Sequence, residues 1–127
     1  MILKEKSEQE EGIREFVTRM YRVCLDRAPD EEGLDGWTEK LINKEATGCS
    51  VAYGFIFSPE FVNKNLENSD FVAYMYRAFF GREADIEGFT FWLDALNSGA
   101  KTRTDVFYGF TGSPEYVELC AKYGIIA

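Results

Sequence analysis

The sequence has 127 residues and no histidine. That absence excludes Ser–His and Cys–His nucleophile systems, because no imidazole is present to take the proton. Cysteine is scarce and odd in number. Cys24, Cys49 and Cys120 have spacings that match no zinc or redox motif, and they read as free, mostly buried thiols. No apolar run reaches the roughly 18 residues of a membrane helix, so membrane insertion is not expected. The opening MILKEKSEQEEG lacks a hydrophobic stretch of signal-peptide length. Bases are outnumbered, 14 against 22 acids, for a net charge of −8. Nucleic acid is therefore not an expected partner, since phosphate contacts need clustered Lys and Arg. Such acidity suits a solvated surface, a cation or a neutral partner.

What the chain does contain is repetition. Residues 16–65 align with residues 71–120 without a gap, and 20 of the 50 positions are identical. FVTRMYRVCLDRAPDEEGLDGW lies over FVAYMYRAFFGREADIEGFTFW, and VAYGFIFSPEFV over VFYGFTGSPEYV. The chain is a duplication whose copies share one local fold. The cysteines do not follow the repeat.

Apolar residues recur at a helical period in Phe16, Val17, Met20, Tyr21, Cys24 and Leu25, and again from Phe71 to Phe80. This first helix stops near Arg27, with Pro29 beyond it. Arg27 and Arg82 then lie at its C-terminal end, where a cation is favoured. Asp30 and Asp85 suit N-caps of a second helix with one face of Leu34, Trp37 and Leu41, or Phe89, Trp92 and Leu96. Gly99 suits the close of that helix in copy two. A third helix is expected over about 49–57 and 104–111. Gly54 and Gly109 inside it cost roughly 1 kcal/mol each relative to Ala, which points to another helix backbone packed closely there. Ser58-Pro59-Glu60 and Ser113-Pro114-Glu115 each begin a further helix. The expected fold is all-α, one compact domain over 1–127. It divides into a lead-in (1–15), copy one (16–65) and copy two (71–120), each copy a three-to-four-helix unit.

The pattern FV-x-x-M-Y-R, R-x-x-D-x-E-G-x-x-x-W and YGF-x-x-SPE-F/Y-V, present twice, resembles domain-of-unknown-function family 4214. The closing CAKYGI resembles that family's usual ending. The resemblance implies an all-α bacterial module, commonly part of large secreted or surface proteins, with no established catalysis. A more distant similarity links it to linker domains of cyanobacterial light-harvesting complexes. Copy one departs in having Leu25-Asp26-Arg27 where copy two has the more typical Phe80-Gly81-Arg82.

The repeated residues suggest four chemistries. The carboxylate pairs Asp30/Glu32 and Asp85/Glu87 are placed as helix caps rather than as the two acids of a glycosidase. DEEG and DIEG lack the ligand alternation of an EF-hand, so no metal site is assigned. Arg27 and Arg82 pair with the nearby acids, Asp30 and Glu32 or their counterparts, or hold a ligand's carboxylate. Trp37 and Trp92, with Tyr53 and Tyr108 behind them, are core anchors or a stacking and interface surface. Phe89, Phe91, Phe107 and Tyr108 are an aromatic surplus in copy two, which points to an exposed apolar patch. No catalytic residue and no cofactor is expected. The expected function is a non-catalytic binding module of a secreted or cell-surface bacterial protein, holding a glycan or a protein partner in a groove between the copies. Trp37, Trp92, Arg27, Arg82, Asp30, Asp85, Tyr53 and Tyr108 are the candidate binding residues. The alternatives are a structural spacer, or an accessory domain that positions an enzyme domain in a longer parent chain.

Overall fold

The computed structural model describes the backbone of residues 2–127 and the side chains of residues 8–127; Met1 lies outside the described residues. Within that range all regular structure is helical, in line with the expected all-α fold. Copy one is carried by α1 (Ile2–Leu25), α2 (Glu31–Ile42), α3 (Gly48–Ile56) and α4 (Pro59–Val62). Copy two is carried by α5 (Asn68–Met75), α6 (Ile86–Ser98), α7 (Arg103–Thr111) and α8 (Pro114–Lys122), with one turn of π-helix, Tyr76–Phe80, continuing α5.

Helix starts follow local chemistry. Asp30 accepts from Gly33 N–H at 2.9 Å, and Asp85 from Gly88 N–H at 3.0 Å. Ser58 and Ser113 cap α4 and α8, each with Pro in the first turn. Two further pairs complete the set: Thr47 with Ser50, and Thr102 with Asp105, are capping boxes at α3 and α7. Helix ends differ between the copies. Copy two turns left-handed at Gly81 (φ +66°) and Gly99 (φ +79°), whereas copy one does so at Asp26 (φ +54°) and Lys44 (φ +61°). A side chain in that region costs about 1–2 kcal/mol. Asp26 gains a partner there, the Lys64 ammonium.

The lead-in is helical: α1 runs unbroken from Ile2 to Leu25, and residues 2–15 are its front half. Ile13 is already fully buried, and a Cβ on Gly12 would lie 2.9 Å from the Tyr123 ring, so the end of the chain packs down on α1. Gly54 and Gly109 do not face a helix backbone. They face tryptophan: an added Cβ would meet the Trp37 ring at 3.3 Å and the Trp92 ring at 2.6 Å.

The copies share one core. Phe16, Val17 and Met20 of α1 and Phe71, Val72 and Met75 of α5 are buried together with Val51, Phe55, Val106 and Phe110, and burying a side chain of this size contributes about 1.5–3 kcal/mol. Phe107 crosses the junction to Tyr53 and Phe57, with ring centroids 5.8 and 5.2 Å away. The exchange is reciprocal. Gly48, first in α3, donates its N–H to Ile126 O at 2.6 Å and accepts the Tyr116 hydroxyl at 2.8 Å. Arg103, first in α7, donates to Leu66 O. Each third helix thus begins against the segment that follows the other copy's Ser-Pro-Glu helix.

Candidate functional site

The repeated residues converge inside each copy. Tyr21 and Tyr76 are buried, and their hydroxyls reach the first turn of the next helix. A Cβ on Gly33 or Gly88 would lie 2.1 Å from that oxygen. Neither glycine has a positive φ, so space rather than conformation demands glycine at the end of D-x-E-G. Burial raises both phenol pKa values, and the charge of Asp30 or Asp85 adds to the effect. Hydrogen bonding from the Gly33 and Gly88 N–H groups holds the Asp30 and Asp85 carboxyls below their ordinary value.

Arg27 lies 5.1 Å over the Tyr21 ring. It grips Glu60 with Nε at 3.1 Å and Nη2 at 3.3 Å, and points Nη1 at Asp30, 3.5 Å away. Arg82 repeats this with Glu115 at 3.1 and 2.8 Å, donates to Glu83 O at 3.1 Å, and lies 3.7 Å from Asp85. The expected Arg–Asp pairing is present, but the second acid is the glutamate of Ser-Pro-Glu rather than Glu32 or Glu87. The Ser-Pro start aims that first-turn carboxylate back at the loop. Glu32 and Glu87 are exposed. Most donors of both guanidiniums are therefore engaged within the module, which ties the loop to the fourth helix.

Trp37 and Trp92 are half-buried. Trp37 rests beside Phe55, centroids 6.1 Å apart, and Lys40 Nζ lies 5.4 Å over its ring. Trp92 packs on Phe110 at 5.3 Å and takes Phe91 edge-on at 5.0 Å. The Arg, Asp and Trp pairs thus gather in two clusters, one per copy. Among the described contacts they do not meet in a groove between the copies. Tyr53 and Tyr108 are exposed, with Tyr53 at the junction against Phe107.

The clusters are not equal. In copy two Tyr76, Phe80, Arg82, Trp92, Gly109, Phe110 and Ser113-Pro114-Glu115 line a recess of about 270 Å³. The π turn supplies Tyr76 and Phe80, and such turns are frequent at functional sites. Beside this recess α6 presents Ile86, Phe89, Phe91, Trp92, Leu93 and Leu96 without fully burying any residue. Ile86 is 86% exposed and Phe91 59%. α2 buries Thr38 and Leu41, and has Glu31 and Gly36 where α6 has Ile86 and Phe91. Phe107, counted in the aromatic surplus, is fully buried instead. Sequence reasoning missed Ile86. The signal was the change from acid to Ile at one repeat position, next to Gly to Phe at another.

These features define a duplicated all-helical module whose copies close on each other. The chain belongs to the family described as Domain of unknown function (DUF4214), whose model matches residues 3–65 and again 52–120. The overlap covers the end of α3 and α4, which close the first match and lead the second. No curated protein and no solved structure matches the chain. Among the described residues no helix is long and apolar enough to cross a membrane.

Proposed function

We propose that this chain is a non-catalytic recognition module of an exported or surface bacterial protein, and that it holds an apolar protein surface on α6. One observation carries the reading: the 13-residue α6 is rich in large apolar side chains and buries no residue fully. Phe89, Trp92 and Leu96 pack against the core, whereas Ile86 and Phe91 stay exposed, and exposed large apolar side chains beside a recess mark an interaction surface. Ile86 is aliphatic and Trp92 is half-buried against Phe110 and Phe91, a make-up that favours a protein over a sugar ring. The repeated Arg–Glu pairs hold the scaffold beneath this face.

The test is selection of peptides from a displayed library on the purified chain, with the double variant Ile86→Glu, Phe91→Ser as counter-selection. Selected apolar peptides should bind the parent and lose at least about 2 kcal/mol on the variant, the scale of an interface hot spot. Helical circular dichroism should be unchanged, because both positions are exposed. A glycan array is the parallel arm. Peptides that bind parent and variant equally, or sugar binding abolished by Trp92→Ala, would overturn the protein reading.

A further inference from the structure

A second recess lies at the junction of the copies and shares no lining residue with the one beside α6. Its volume is about 130 Å³. Phe57, Phe61, Leu66 and Phe71 are among its walls, Val62 stands at its rim 54% exposed, and Arg103 is the one charged residue lining it.

Arg103 is fixed in place by neutral groups. Its guanidinium lies 4.8 Å over the Phe71 ring. Nε and Nη2 donate to Asn68 Oδ1 at 3.3 and 3.0 Å, and Nη2 donates to Leu66 O at 2.5 Å. Nη1 has no acceptor among the described residues. Arg14, Arg27, Arg77 and Arg82 each pair with a carboxylate. Arg103 pairs with none among the described residues, as is also true of Arg19 and Arg22, and of these three it alone lines the junction recess. A pre-positioned, uncompensated guanidinium at the edge of an apolar recess is matched by a carboxylate carried on an apolar group.

The other half of the molecule shows what such a place accepts. Gly48 occupies the repeat position of Arg103, and there the end of the chain is laid down. Gly48 N–H holds Ile126 O at 2.6 Å, and Ile125 is 4% exposed. On the Arg103 side α4 stops after 4 residues where α8 runs to 9.

The geometry points to the junction recess as a binding site for a carboxylate on a short branched aliphatic group, with the aliphatic part in the recess and the carboxylate on Arg103. The volume is enough for an isobutyl or isopropyl group, about four water-sized groups. This chemistry occurs at the free C-terminus of a peptide ending in Leu, Ile or Val, and in a free branched short-chain acid.

The experiment titrates the intact chain by NMR with N-acetyl-leucine, N-acetyl-leucine amide, isovalerate and a tetrapeptide ending in leucine. The two small carboxylates should bind with Kd about 1 mM, and the amide at least about tenfold more weakly. Tighter binding of the tetrapeptide than of isovalerate would identify a peptide end as the ligand. The reverse order would identify a free acid. Arg103→Gln should weaken carboxylate binding about tenfold, and Val62→Trp should block it. Val62 is an exposed rim position whose change leaves the core intact, so the test holds even if the Arg103 variant misfolds. The α6 double variant should bind these acids as the parent does, which separates this site from the proposed protein surface. No binding by the parent, equal binding of the amide, or no effect of Val62→Trp overturns the assignment.

Discussion

Gly88→Ala tests the central geometric argument. The new Cβ would lie 2.1 Å from the Tyr76 hydroxyl oxygen, against an ordinary contact of 3.4 Å or more, so at least about 1.3 Å must be found. Tyr76 cannot yield easily. It is 4% exposed and wedged edge-on to Phe110 at 5.0 Å and Phe80 at 5.7 Å. Overpacking of this kind costs about 1–3 kcal/mol, while replacing a helical glycine by alanine returns up to about 1 kcal/mol. The expected net loss is about 1–2 kcal/mol. Gly36→Ala is the control, because nothing lies within 4 Å of its added Cβ; it should stabilise by about 0.5–1 kcal/mol. The assay is urea unfolding followed by circular dichroism, run as a double-mutant cycle with Tyr76→Phe. Removing the hydroxyl should rescue Gly88→Ala, with a coupling of at least about 1 kcal/mol. If Gly88→Ala is as harmless as Gly36→Ala, or equally harmful with Phe at position 76, the reasoning is refuted.

Three further outcomes are expected. Backbone hydrogen bonds hold the Asp30, Asp85 and Asp105 carboxyls below their ordinary values, so the folded state binds these protons more weakly than the unfolded chain. That stabilisation is complete above the unfolded carboxyl value near pH 4 and is lost as pH falls through the folded values. Thermal melts should therefore be flat near neutrality and fall below about pH 4, less steeply in a variant with all three changed to Asn. Lys44→Gly should raise stability by up to about 1 kcal/mol in the same urea assay, because φ is +61° there. Of the three thiols only Cys49 should react with a disulfide reagent in the native state, since burial pushes Cys24 up to about 12 and Cys120 up to about 11. Mass spectrometry of the labelled chain counts the adducts, and more than one falsifies the packing around the other two.

The helices were legible because their determinants are local. Phe16 to Leu25 show a 3.6-residue period, and Asp30, Ser58 and their counterparts are caps whose bonds span three residues. The contact from Arg27 to Glu60 spans 33 residues, and only the folded loop aims that guanidinium at α4, so the nearer Glu32 looked the better partner. Gly54 and Gly33 were visible as oddities in helices, but the reason for each is a ring or hydroxyl delivered by another helix. The continuity of α1 was hidden because nothing in MILKEKSEQEEG repeats copy two. The exposure of α6 depends on which faces the fold covers, which its own periodicity does not record. The π turn has no local signal beyond Phe79-Phe80 standing where copy one has Cys24-Leu25.

The crossed contacts at Gly48 and Arg103 bear on protein concentration. A molecule with one copy of this unit would leave the start of its third helix bare, and two molecules would have to meet in solution to cover it. Here the two halves are tethered by residues 63–67, between α4 and α5, a span short enough to place the effective concentration of one half around the other in about the millimolar range. Dilution that would separate two independent chains leaves this pair assembled. The tether lets the module keep its shape at low protein concentration.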